Sequence, residues 1–218
     1  MKKNKFLRLA SFMLIACLAT CCAVGGTFAK YTTSSNANDS ARVAKFGVTV
    51  TMTDYDVFKD NYDATVISST TADDVVAPGT SGTLAGISIS GTPEVKVEVK
   101  YEATLTLTGF DAYCPIVFTV GGVTYGIDGI KDSTGIEATN ESADVAALIT
   151  AVQNAIAAYT AKYNANTDLS TATAPKVSWE WAFDKNDDEK DTTLGNTAET
   201  GTAATIDLKI VTTVTQVD

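Results

Sequence analysis

Residues 94–108 read EVKVEVKYEATLTLT, with Val95, Val97, Val99, Tyr101, Ala103, Leu105 and Leu107 alternating with lysine, glutamate and threonine. Successive side chains of a strand point to opposite faces, so this run is a long strand with one dry face and one wet face. Each fully buried large side chain contributes ~1.5 to 3 kcal/mol, and the dry face supplies roughly 10 kcal/mol before ordering entropy is subtracted. It needs an opposing apolar layer.

Other stretches provide that layer. Val48-Val50-Met52, Ile87-Ile89, Ile116-Phe118-Val120, Val177-Trp179-Trp181-Phe183 and Ile206-Leu208-Ile210 all show the two-residue period. Glycine and proline punctuate them, as in Pro78-Gly79-Thr80-Ser81-Gly82, Gly91-Thr92-Pro93 and Gly121-Gly122. About eight such strands predict a mainly β fold, a two-sheet sandwich of jelly-roll-like topology. One segment departs from the pattern. Over residues 142–163, Val145, Leu148, Ile149, Val152, Ala155, Ile156, Tyr159 and Tyr163 recur at three- and four-residue intervals. The spacing predicts one inserted amphipathic helix, capped by Asn140 or Ser142 and packed across an end of the sandwich.

The composition narrows the chemistry. The 218 residues are 45% apolar and 19% charged, a globular composition, and the length suits one domain with an insertion. There is no histidine, which excludes a Ser-His-Asp or Cys-His relay and an HExxH zinc site. The chain carries 16 basic and 26 acidic groups. So acidic a surface repels phosphate backbones and anionic lipid heads, so neither nucleic acid nor a membrane surface is expected as a partner.

The first 29 residues differ from the rest. Lys2, Lys3, Lys5 and Arg8 precede the apolar stretch 9–24, LASFMLIACLATCCAV, and then the small-residue exit Gly25-Gly26-Thr27-Phe28-Ala29. That order predicts a secretory signal peptide, with Thr27 and Ala29 at the positions a signal peptidase reads. The stretch is shorter than the ~20 residues of a spanning helix. Leu14-Ile15-Ala16-Cys17 also fits a lipoprotein box, but cleavage there leaves an apolar terminus. Cleavage after Ala29 removes Cys17, Cys21 and Cys22 and leaves Cys114 alone, expected as a small buried packing residue. The product is expected to be secreted, free of a membrane or covalent anchor, and located in the extracellular matrix or at the cell surface. Three segments follow: 1–29 as signal peptide, 30–52 as an amino-terminal segment with the first strand, and 53–218 as the sandwich.

Three features invite a site. Residues 184–191, DKNDDEKD, hold five carboxylates, and Asp184, Asn186 and Asp188 match the first three ligand positions of an EF-hand loop. Glu189 stands where the sharp turn needs glycine and Gly195 where a bidentate glutamate belongs. An EF-hand is therefore excluded; a looser calcium site at those three residues remains the one cofactor expectation, beside a plain solvated acidic loop. Trp179 and Trp181 share a strand face with Val177 and Phe183, which reads as core rather than as a sugar-stacking platform. Carboxylate pairs for glycosidic chemistry are abundant, but nothing in the sequence sets two of them across a cleft.

Gly26-Thr27-Phe28-Ala29-Lys30-Tyr31-Thr32-Thr33-Ser34, followed by Ala41-Arg42-Val43-Ala44-Lys45-Phe46-Gly47-Val48, resembles the start of precursors with SipW-dependent-type signal peptides. Those precursors include the TasA-type biofilm fibre proteins and the camelysin-like surface proteins. The resemblance continues through Val76-Ala77-Pro78-Gly79-Thr80-Ser81-Gly82, Tyr113-Cys114-Pro115-Ile116, Trp179-Glu180-Trp181, Asp191-Thr192-Thr193-Leu194-Gly195 and Val214-Thr215-Gln216-Val217-Asp218. It implies cleavage after Ala29 by a dedicated signal peptidase, a jelly-roll domain, and assembly into fibres of a Gram-positive biofilm matrix. The partners it implies are the chain itself as a homopolymer, other matrix proteins, and the signal peptidase during export. In fibre-forming members the freed amino-terminal segment adds as a strand to a neighbouring subunit. Here that segment begins at Lys30, and its candidate donor residues are Val43, Phe46, Val48, Val50 and Met52. The metallopeptidase label of some camelysin-like proteins does not carry over, because no histidine and no metal-and-base constellation stands in this sequence. A structural protein rather than an enzyme is expected. The alternative is a monomeric surface binding module or adhesin for calcium or a glycan.

Overall fold

The computed structural model of the chain describes residues 41–53, 57–58, 61–62, 66–67, 74–84, 86–199 and 203–218; the export segment with Thr27 and Ala29 lies outside them. The chain divides into two compact units, 1–43 and 44–218. In the first, Ala41, Arg42 and Val43 are exposed, Val43 at 93%.

The second unit is mainly β. Its strands are β1 (Thr49–Thr53), β2 (Asn61–Tyr62), β3 (Val66–Ile67), β4 (Ser81–Leu84), β5 (Gly86–Ser90) and β6 (Val97–Thr108). They continue with β7 (Ile116–Val120), β8 (Val123–Ile127), β9 (Asn140–Ser142), β10 (Ala161–Tyr163), β11 (Val177–Trp181) and β12 (Thr205–Gln216). One principal sheet has the order β10-β6-β12 and the other β4-β11-β7-β8-β9, while β1 pairs with β5 and β2 with β3. Every pairing is antiparallel except β8 with β9.

The run that opens the reading is β6, and its alternation is realised. Val97, Val99, Tyr101, Leu105 and Leu107 are buried, while Lys100, Glu102, Thr104 and Thr106 are exposed. The opposing layer is Ile116, Phe118 and Val120 of β7 with Val177, Trp179 and Trp181 of β11, all in one hydrophobic core. The two principal sheets share this core with Leu148, Val152 and Ile156 in a sandwich-like arrangement. Gly121 and Gly122, with φ of 60° and 89°, make the two-residue turn from β7 to β8. Positive φ at both central positions suits the right-handed twist of a hairpin.

The helix is shorter than the predicted 142–163. Helix α1 (Val145–Ala157) starts at Asp144, whose carboxylate accepts the Ala147 N–H at 2.8 Å, and buries Val145, Leu148, Val152 and Ile156. Asn140 and Ser142 belong to β9 and do not cap it. Beyond Ala157 the chain turns, with the Thr160 N–H donating to the Ala157 carbonyl at 3.0 Å, and residues 161–163 pair with the edge of β6. Tyr163 fits a helical period by number but is placed by a strand. Lateral pairing to β6 has overridden the local pattern.

A second correction concerns the acidic run. From Asp188 the chain is helical, forming α2 (Asp188–Glu199), rather than a solvated loop. Asp187 accepts the Lys190 N–H at 3.0 Å and so satisfies one of the donors that a helix start leaves bare. Asp188, Glu189 and Asp191 fill the first turn, where negative charge meets the positive end of the helix dipole. The acids that read as a loop are good first-turn residues. Phe183 is the third correction. Strand β11 ends at Trp181, and Asp184 with φ of 58° turns the chain away, leaving Phe183 67% exposed instead of in the core.

Candidate assembly site

The predicted donor residues fall on and before β1. Its five residues are all exposed, and its hydrogen bonds run to β5 of the same chain. In that register Val50 lies opposite Ile89 and Met52 opposite Ile87. Directly opposite residues of an antiparallel pair share a face, so Val50 and Met52 continue the core-facing row of β5. Ile87 and Ile89 are 9% and 6% exposed, whereas Val50 and Met52 are each 36% exposed. The row runs out from under its cover at β1. Phe46, 41% exposed, lies on the approach, and Val48 packs partly against the core. Val43 belongs to the first unit. The donor set is thus a strand paired at one edge and apolar on a face that is poorly covered.

Two glycines set how closely β1 approaches. A Cβ on Gly86 would stand 1.7 Å from the Thr53 carbonyl oxygen, and one on Gly91 2.2 Å from the Gly47 carbonyl oxygen. Only hydrogen at Gly86 permits the pairing seen. Upstream, the Lys45 N–H donates to a Glu94 carboxylate oxygen and the Glu94 N–H to the Lys45 carbonyl, each at 2.8 Å.

Of the calcium candidates, Asp184 and Asp188 line one cleft while Asn186 is engaged elsewhere. Asp184 pairs with Lys185 at 3.1 Å. Asn186 is spent on the backbone of Lys131, accepting its N–H at 2.8 Å and donating to its carbonyl at 3.1 Å. Asp188 starts α2. Among the described residues no three histidine, cysteine, aspartate or glutamate side chains gather as a ligand set. What the run builds is a clamp and a helix start. Asp187, drawn below the ordinary carboxylate range chiefly by the Lys190 N–H, also pairs with Lys190 Nζ at 3.3 Å.

One carboxylate at this end was not singled out in the sequence. Asp191 is 8% exposed, the one buried residue of α2, and accepts the Trp181 indole N–H at 3.1 Å. Burial raises its pKa, helped by the charges of Asp188 and Asp187 and opposed by hydrogen bonds from Tyr113 and Trp181. No spacing in the sequence marks it out, because one of its partners, Tyr113, comes from a distant segment. Tyr113, its pKa also pushed up mainly by burial, lies beneath Lys190, whose Nζ is 5.5 Å from the ring centre.

Trp179 and Trp181 are core, at 2% and 5% exposure, as their phase predicts. The Trp179 indole donates to the Val57 carbonyl at 2.9 Å, and its ring packs on Phe58 and Tyr62 with centroids 5.2 and 6.1 Å away. Cys114 is buried as expected, at 2% exposure, and burial pushes its thiol up to about 11. A neutral buried thiol suits packing, not nucleophilic attack. Among the described residues no helix is long and apolar enough to cross a membrane. Compared with family models, curated proteins and solved structures, the chain matches none.

Proposed function

We propose that this chain is a secreted structural subunit of extracellular biofilm-matrix fibres, a jelly-roll domain that joins its neighbours by strand addition after its signal peptide is removed. The reading grows from the resemblance of residues 26–48 to TasA-type precursors. The observation that supports it most is β1, whose apolar residues Val50 and Met52 extend the core-facing row of β5 yet stay 36% exposed. Such a strand gains by finding cover on another copy. Its gain must offset ~4 to 15 kcal/mol of lost freedom on association. Burying four apolar side chains contributes about 6 to 12 kcal/mol, so hydrogen bonds along the added strand complete the balance.

Processing serves as the assembly switch in this reading, because export with the signal attached keeps the amino-terminal region joined to it. The test is Ala29→Trp, which blocks the peptidase. Secretion cultures of this variant are expected to show no fibres by negative-stain microscopy. Normal fibres from uncleaved protein would refute the switch.

A further inference from the structure

Met52 and Cys114 carry the sulfur atoms of the described residues, and they differ in access. Met52 lies in β1, 36% exposed, opposite Ile87 of β5. Cys114 is 2% exposed in the core, and burial pushes its thiol up to about 11, so it stays protonated. The usual order of reactivity is thereby reversed. A thiol meets an oxidant as its thiolate, which burial suppresses here, whereas a thioether has no proton to lose and needs only to be reached.

The strand that carries Met52 is held unevenly. Its approach is fastened by the reciprocal contacts of Lys45 with Glu94, and Val48 packs partly against the core. Residues 49–53 depend on the pairing with β5 and on the cover that Val50 and Met52 obtain beside Ile89 and Ile87. A sulfoxide in place of the thioether sets a strongly polar oxygen on that apolar row.

We infer that Met52 is an oxidation site for hydroperoxides, and that its conversion to the sulfoxide loosens residues 49–53 from β5 while the contacts of Lys45 with Glu94 hold. The step balances. A lone pair on the Met52 sulfur attacks one peroxide oxygen, and the S–O bond forms as the O–O bond breaks. Sulfur gives up two electrons, and the departing hydroxide takes the proton of the transferred oxygen and leaves as water. The inference goes beyond the fibre reading and does not depend on it, since the change lies within one copy.

The test treats residues 30–218, whose one methionine is Met52, with hydrogen peroxide. Peptide masses are expected to show an added oxygen on Met52 before any on Cys114. Hydrogen exchange of the oxidised protein is expected to run roughly fivefold faster at residues 49–53, the scale of one lost cross-strand pair, and to be unchanged at Glu94. Met52→Gln, a polar side chain of similar length, reproduces the faster exchange without peroxide, and in Met52→Leu peroxide leaves the exchange of β1 as it was. Oxidation of Cys114 ahead of Met52, or a sulfoxide with wild-type exchange at residues 49–53, overturns the inference and leaves the fibre reading standing.

Discussion

Asp191 ties a polar helix to an apolar wall. It is the one buried residue of α2, and both of its hydrogen-bond partners, Trp181 and Tyr113, belong to the body of the sandwich. Burial raises its pKa above the ordinary 3.8. A carboxyl whose folded pKa exceeds its unfolded one binds more protons in the folded state. Its contribution is complete below pH of about 4 and is lost as pH rises through the raised value. The wild type is therefore expected to lose stability to urea across that window relative to Asp191→Asn. The variant lacks this contribution, since the amide keeps an acceptor for the Trp181 indole and carries no charge. Parallel pH profiles for the two proteins would show that Asp191 does not titrate on folding. Nothing in the linear sequence separates this aspartate from its four neighbours in the acidic run. The distinction comes from Tyr113, 78 positions away in the chain, closing over it.

At the scale of elements, strands with one dry face were legible and their ends were not. The alternation of β6 and β11 survives because each buries a face against the other sheet, and the α1 stripe of Val145, Leu148, Val152 and Ile156 survives for the same reason. Tyr163 continues a helical period but pairs opposite Val97 in a strand, a contact distant in sequence. Phe183 continues a strand period but lies past the end of β11, just before the local turn at Asp184. Helix α2 was illegible for a different reason. It buries one polar side chain, so it has no apolar stripe to reveal it. The pairing of β1 with β5 was likewise hidden, since it depends on the missing Cβ of Gly86. Gly86→Ala places a methyl group against the Thr53 carbonyl and is expected to strip most of the hydrogen-exchange protection from residues 49–53. The free energy of global unfolding should change by less than about 1 kcal/mol, because β1 buries none of its own residues. Protection of β1 equal to the wild type would show that the strand is held by something other than this close approach.

For the whole molecule, the acidic balance opposes contact between copies and exposed apolar surface favours it. That surface includes Phe46, Val50 and Met52 on and before β1, and also Ile136, Phe183 and Val211. The sandwich core was legible in the sequence as an opposing pair of apolar layers. The exposure of β1 was not, because alternation tells which residues share a face and not whether anything covers it. Sedimentation velocity of residues 30–218, compared with their Val50→Asp, Met52→Asp variant, tests the role of β1 most directly. The wild type should grow with concentration into filaments while the variant stays a folded monomer. Equal growth of the two, or a wild type that sediments as one species at every concentration, would contradict assembly through the amino-terminal strand.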